Sequence, residues 1–165
     1  MYYNNSFEGN IATDYGLSTE IEATELLSKK WKIYRTGLLV HPQVPWMGYS
    51  PDGLLVMNDQ LKILEVKCPV QGFYTTATEL VKMLNYICID KGTYALKQKH
   101  KYYGQVQCGM HITNADQCYF VIYASCDKSY VLIHVPRDDK FIQNQYAALH
   151  NIYFEYFLPY LCSIN

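Results

Sequence analysis

The sequence predicts an α/β sandwich, a mixed central β-sheet flanked by helices, on three observations. Four segments space their apolar residues as helices do, and five others are short apolar or alternating runs that suit strands. Their order is a helix, a strand meander, two helices, a strand pair and a last helix, which suits one layered domain over residues 1–165. Half of the residues are apolar and 18% are charged, so a packed core is available and neither disorder nor a coiled coil is indicated.

Residues 17–31 open the pattern as a helix. Ser18 suits its N-cap, Glu20 and Glu22 its first turn, and Lys29 and Lys30 its last. Residues 38–40, 53–57 and 61–66 follow as strands, the last two joined by a turn at Asn58-Asp59-Gln60. Residues 76–85 carry Leu80, Met83 and Leu84 at helical spacing, and Lys91-Gly92-Thr93 reads as a turn ahead of a helix over 99–112. Residues 117–125 and 130–136 form a hairpin around Asp127-Lys128. Residues 138–161 read as one long helix, with Phe141, Tyr146, Leu149, Tyr153 and Phe157 on its apolar side.

Composition narrows the function classes. A net charge of −1 excludes a globally basic field, so any groove for a polyanion is local. Two basic clusters stand out, Lys29-Lys30-Trp31-Lys32 and Lys97-Gln98-Lys99-His100-Lys101, and each suits either a phosphate contact or a solvated helix end. No apolar run approaches the roughly 20 residues that span a bilayer, and Met1-Tyr2-Tyr3-Asn4-Asn5 is too polar for a signal peptide. An intracellular protein, of cytoplasm or nucleus and without membrane contact, is expected. The six cysteines contain no C-x-x-C pair, so they read as reduced core residues and not as zinc or iron–sulfur ligands.

The chemistry concentrates in Ser50-Pro51-Asp52-Gly53 and Leu64-Glu65-Val66-Lys67-Cys68-Pro69. Strand alternation sends Glu65 and Lys67 to one face and Leu64 and Val66 to the other. Two opposite charges on one face of an apolar strand are costly unless that face is a site. Carboxylate oxygens suit a hard divalent cation such as Mg²⁺, and a lysine beside it can hold or deprotonate a water. That set of groups is apt for phosphodiester hydrolysis.

These residues resemble the PD-(D/E)-X-K nucleases, and their surroundings resemble the YqaJ-type viral recombinases, the lambda-exonuclease-like branch. The likeness runs from about Asn10 to Pro159. It includes Gly16-Leu17-Ser18-Thr19-Glu20-Ile21-Glu22-Ala23, similar to a first-helix motif G-x-x-x-E-x-x-A. It continues through Gly37-Leu38-Leu39-Val40-His41-Pro42, Pro45-Trp46-Met47-Gly48-Tyr49-Ser50-Pro51-Asp52-Gly53, the Glu65 strand, His100-Lys101-Tyr102-Tyr103-Gly104-Gln105-Val106-Gln107 and Arg137-Asp138-Asp139-x-Phe141. The resemblance implies a restriction-endonuclease-like core and a metal-dependent DNA nuclease, an exonuclease of recombination or DNA processing. It implies catalytic roles for Glu20, Asp52, Glu65, Lys67 and Gln105. Mg²⁺, with Mn²⁺ as substitute, would be held by Asp52, Glu65, the Val66 carbonyl and Glu20. DNA is the expected partner, with a homo-oligomer and a single-strand annealing protein as further partners the family allows. The alternative is a catalytically inactive DNA-binding or recombination accessory domain.

Each site residue also has a plainer explanation. Asp52 can be a turn aspartate, Glu65 and Lys67 a surface ion pair, and Glu20 a favourable charge near a helix N-terminus, with Glu22 as its near competitor. Gln105 and Gln107 stand two apart on a helix, so only one can face the metal, and Gln105 fits the motif Y-x-Q. Tyr49, Ser50, Lys99, His100 and Tyr103 are candidates for nucleic-acid contact. Tyr102 and Tyr103 serve equally as core residues, His100 as a helix cap, and Tyr49 and Trp46 as shapers of the Asp52 turn. Relatives carry an arginine and a serine ahead of the first-helix glutamate for a 5′ phosphate; only 19 residues precede Glu20, none of them arginine. That end-recognition segment is therefore expected to be missing.

Overall fold

The computed structural model describes residues 11–164. In order it runs α1 (Ile11–Ser28), β1 (Ile33–Tyr34), β2 (Leu39–His41), β3 (Val44–Tyr49), β4 (Gly53–Met57) and β5 (Gln60–Lys67). A 3₁₀ turn (Val70–Phe73), α2 (Ala77–Met83), β6 (Ile87–Asp90), β7 (Thr93–Leu96) and α3 (Lys101–Thr113) follow. The chain then forms β8 (Gln117–Ala124), β9 (Ser129–Pro136), α4 (Asp139–Ile152), a π-helical turn (Tyr153–Phe157) and α5 (Leu158–Ser163). No helix among the described residues is long and apolar enough to cross a membrane.

The central sheet has five strands in the order β1-β4-β5-β8-β9. Its pairs are antiparallel except β5 with β8, which run parallel because α2 and α3 intervene between them. The predicted mixed sheet flanked by helices is therefore present. Alternation along β5 and β8 splits the core in two. Ile63, Phe120 and Ile122 pack beneath Leu80 and Val81 of α2 and Val106 and Met110 of α3. Leu64, Val66, Val121 and Tyr123 face the other way, onto Ala23 and Leu27 of α1. Both faces are covered, so β5 is buried along most of its length.

The β4–β5 hairpin sets the register on which the site depends. Asn58 and Asp59 both take positive φ, 51° and 60°, in a tight turn whose twist suits antiparallel strands. Met57 pairs with Gln60, and this register carries through to Gly53 opposite Leu64. Gly53 has a second role. A Cβ there would lie 2.6 Å from Ile33 Cγ2, so only glycine lets β1 close onto β4.

Several local expectations are corrected. The first helix reaches back to Ile11, so Ser18 is no cap; its hydroxyl donates to the Tyr15 carbonyl one turn back. Glu20 and Glu22 accordingly sit beyond the first turn, and Lys29 and Lys30 lie past the helix end. The dipole explanation of Glu20 therefore lapses. Residues 44–49 form a strand despite Pro45 and Gly48, paired with β2 in a separate two-stranded sheet. The turn at Lys91-Gly92 is present, and it joins two strands, β6 and β7, that were not expected. The terminal helix is present and runs without a break from Asp139 to Ser163, but its α geometry changes to a π-helical turn at Tyr153–Phe157. Pro159 has no N–H to give, and the hydrogen-bond ladder widens ahead of it so that Leu158 N donates to Tyr153 O.

Candidate active site

Glu65 is 1% exposed, an anion in the middle of a covered sheet. Such a charge persists only with partners, and three converge on it. Lys67 Nζ donates to Oε1 at 2.5 Å, since strand alternation returns residue 67 to the same face. Gln105 Nε2 reaches the same oxygen from α3 at 2.7 Å. Tyr49 Oη donates to Oε2 at 2.6 Å. Asp52 stands at the start of β4, beside the β5 backbone, where its Oδ2 accepts from Val66 N at 2.6 Å. The hairpin register thus brings the turn aspartate and the strand glutamate to one point.

Glu20 approaches from α1, around the end of the sheet. It lines a cleft of about 390 Å³ together with Val66, Lys67, Cys68 and Tyr102. It also lines a smaller one, about 220 Å³, with Ser50 and Asp52. Glu22 points elsewhere and pairs with Lys128 at 2.9 Å. Gln107 is likewise diverted: it is fully buried, donating to Pro136 O at 2.9 Å and accepting from Asp138 N at 2.9 Å.

The electrostatics follow from crowding two carboxylates in a dry place. Burial, and then the charge of Glu65, raise the Asp52 carboxyl from 3.8 to about 7, against the opposing Val66 N–H and Lys67. Burial alone would lower Lys67, but Glu65, through charge and hydrogen bond, and Asp52 outweigh it, so the amine stays an ammonium. The Lys67 ammonium also lies 5.0 Å from the centre of the Tyr102 ring. Burial and the charges of Glu20 and Asp52 push the Cys68 thiol to about 12, which leaves it protonated and a poor metal ligand.

The residues expected to touch nucleic acid separate. Ser50 is exposed beside Glu20 and Asp52. Tyr49 is buried under α3, so it supports Glu65 and presents no face for a base. A Cβ on Gly109 would come within 2.5–2.8 Å of its ring, so glycine is what admits it. Tyr103 is also buried; its Oη donates to Asp138 Oδ2 at 3.0 Å and its ring meets Phe141 of α4 edge-on. His100 caps α3, its Nδ1 accepting from Tyr102 N at 3.3 Å. Lys99 is exposed, but it lines a groove with Cys88, Asp90, Leu96 and Pro136, to which Glu20, Asp52 and Glu65 do not contribute. Sequence reasoning missed the Tyr49–Glu65 bond and the Tyr102 platform. Tyr102 sits three residues before Gln105, on the same side of α3, and that spacing was the available signal.

Tyr49 carries a test. Tyr49→Phe keeps the ring and removes one donor from a buried carboxylate, at an expected cost of about 1–3 kcal/mol. Chemical denaturation against the wild type measures it, and an unchanged midpoint would mean that the phenol contributes nothing to Glu65.

A family model described as the YqaJ-like viral recombinase domain matches residues 1–116. The chain belongs to that family. Among solved structures, this YqaJ-like chain is similar to LHK-Exo in complex with dAMP, at 26% identity and a TM-score of 0.64, covering 95% of this chain and 77% of that one. LHK-Exo from Laribacter hongkongensis, described as an alkaline exonuclease, matches again at 26% identity and a TM-score of 0.62, over 96% and 78%. A phage-related exonuclease from Haemophilus somnus 129PT shares the fold at 18% identity and a TM-score of 0.56, over 86% and 68%. No curated protein sequence matches this YqaJ-like chain.

The donor chemistry bears on a cation. Among the described residues, no group of three or more His, Cys, Asp and Glu is gathered as a ready metal cage. The donors that do meet there are carboxylate oxygens, the type that a hard cation takes. Burial first, and the charge of Glu65 second, raise the Asp52 carboxyl, and the Lys67 ammonium lies against Glu65. Among the described residues Glu65 Oε2 accepts one bond and Asp52 Oδ2 another, which leaves lone pairs on both carboxylates.

Proposed function

We propose that this YqaJ-like chain is a metal-dependent DNA nuclease, an exonuclease of recombination, with its chemistry at Asp52, Glu65 and Lys67. The observation that carries the reading is the meeting of those three groups with Gln105 around one buried carboxylate. Family membership and the 26% identical exonuclease LHK-Exo support the same activity. Against the accessory-domain alternative stands the cost of keeping the half-buried Asp52 beside the buried Glu65, a cost that a working site accounts for.

In this reading Asp52, Glu65 and the Val66 carbonyl, with Glu20 nearby, hold Mg²⁺ or Mn²⁺. When bound, such an ion acidifies a water and offsets charge on the phosphate. Gln105 and Tyr49 fix the rotamer of Glu65, so its oxygens need no rearrangement during the reaction. Lys67 Nζ holds the attacking water through a hydrogen bond and faces the charge that develops on the phosphoryl oxygens. The water oxygen bonds to phosphorus as the P–O3′ bond breaks; the Lys67 ammonium only donates, so the water proton passes to solvent in the open cleft and the departing 3′ oxygen takes a proton from solvent. Tyr102, beneath the ammonium, limits the directions that Lys67 can take.

The test uses linear and covalently closed circular duplex DNA. Mg²⁺ or Mn²⁺ is expected to support loss of the linear form alone. EDTA and Glu65→Ala should abolish it, and Ca²⁺ should allow binding without cleavage, because it accepts looser coordination. Rapid turnover in EDTA, or full activity of Glu65→Ala, would remove this reading.

A further inference from the structure

The smaller cleft, about 220 Å³, contains more than carboxylates. It is lined by Glu20, Ser50 and Asp52 on one side and by Arg35 and Thr36 on the other. Arg35 is exposed, and among the described residues it has no carboxylate within ion-pair distance, although two share its cleft. It is therefore not the counter-ion of Glu20 or Asp52. Thr36 Oγ1 is buried and has no hydrogen-bond partner. A buried hydroxyl without a partner is costly and calls for a ligand atom.

The fold explains how these two residues arrive there. Tyr34 pairs with Leu54 and Ile33 with Leu55, so the chain leaving β1 runs toward the start of β4, where Asp52 stands. The glycine at 53 permits that close approach. Upstream, Lys29, Lys30, Lys32 and Arg35 place four cations within seven residues that contain no acid. All four are exposed, and none is ion-paired among the described residues. Lys30 lies over the Trp31 ring at 5.1 Å and Lys32 over Tyr34 at 4.9 Å, which holds both ammoniums at the surface. In a chain of net charge −1 this is a concentrated basic strip, and it ends inside the candidate site.

We propose that Lys29 to Thr36 is a phosphate track for the DNA strand, in which Arg35 and the Thr36 hydroxyl bind one phosphate group beside Asp52. The proposal rests on the nuclease reading above. A guanidinium presents two parallel donors that match two phosphate oxygens, and the hydroxyl supplies a third. It also meets an electrostatic need. A phosphate approaching Glu20 and Asp52 is repelled, and Arg35 is the fixed cation that draws it in. The bound group is either a terminal phosphate or a phosphodiester within the strand; the chemistry is the same.

The experiment compares the wild type with Arg35→Ala, Arg35→Lys, Thr36→Val and, as a control, Lys82→Ala, whose lysine pairs with Glu79 on the surface of α2. Duplex binding is measured by fluorescence anisotropy in Ca²⁺ against salt, and cleavage kinetics in Mg²⁺. Arg35→Ala is expected to weaken binding about ten- to a hundredfold and raise KM in step, with kcat nearly unchanged. Its slope of log K against log salt should fall by about one phosphate's worth. Arg35→Lys should keep the slope and recover part of the affinity. Thr36→Val should weaken binding about two- to tenfold, and Lys82→Ala should match the wild type. A loss confined to 5′-phosphorylated ends identifies a terminal phosphate, and an equal loss on hydroxyl ends identifies an internal one. Wild-type affinity and salt slope in Arg35→Ala would overturn the proposal while leaving the nuclease reading intact. A wild type that binds but never cuts removes the nuclease reading, and the binding arms still decide the role of Arg35. A wild type that does not bind DNA removes both.

Discussion

Lys67→Met is expected to lower cleavage by about 10²–10³-fold, the usual loss when one positioned donor to developing charge is removed, while DNA binding in Ca²⁺ persists. Methionine keeps most of the length of the side chain over Tyr102, so the change removes a charge and its donors more than it removes packing. The loss also reaches Glu65. That carboxylate, 1% exposed, would keep the neutral donors Tyr49 and Gln105 but lose its counter-charge at 2.5 Å. Removing one partner of a buried pair costs about 3 kcal/mol, so a lower melting temperature should accompany the lost activity. Circular dichroism and anisotropy at a temperature well below that transition separate the chemical defect from unfolding. Cleavage within a few-fold of wild type would mean that the reaction does not pass through Lys67.

Asp52→Asn is expected to separate activity from stability in the opposite sense. Asparagine keeps an oxygen to accept from Val66 N but carries no charge, so cleavage should fall below detection. The metal-free variant should nonetheless be more stable than the wild type above neutral pH. The folded Asp52 carboxyl is raised to about 7, by burial first and by Glu65 second, from an ordinary 3.8. A raised acid favours folding while it is protonated, and that contribution is lost as pH climbs through about 7. At pH 8 in EDTA the wild type carries a half-buried anion beside a buried one, and the Asp52→Asn change removes the first, for a gain of about 1–2 kcal/mol. At pH 4 the difference should vanish. Thermal melts in EDTA from pH 4 to 8 measure it, and a variant less stable than wild type at pH 8 would show that the two carboxylates do not repel.

The parts of the molecule that were legible in the sequence share a physical cause. Glu65 and Lys67 could be assigned one face because strand alternation is rigid, and Gln105 could be separated from Gln107 because helical residues two apart diverge. The two paired strands, β4 and β5, were readable because the Asn58-Asp59 turn is a local signal. What escaped was set by distant contacts. Pro45 and Gly48 argue against a strand locally, and β3 forms because β2 and α3 lie against it. Ser18 resembles a cap, yet α1 continues to Ile11. The bond from Tyr49 to Glu65 spans a strand change and needs the bare backbone of Gly109 on a third element, which no local pattern reveals. Tyr103 and Tyr102 are adjacent and chemically alike; helix geometry sends them different ways, and α4, packed on Tyr103, makes that one a core residue and leaves the other in the cleft.

The two-residue turn between β4 and β5 has a consequence for how this chain can vary. Asp52 and Glu65 sit on the two arms of one hairpin, like the jaws of a caliper whose setting is the turn at Asn58-Asp59. Lengthening most surface connections costs little, because loop entropy grows slowly with length. Here one added residue that shifts the pairing would turn Glu65 toward α1 and bring Leu64 or Val66 to face Gln105, since the side-chain period is two. Length at this turn is therefore under a constraint that its exposed, polar composition does not advertise.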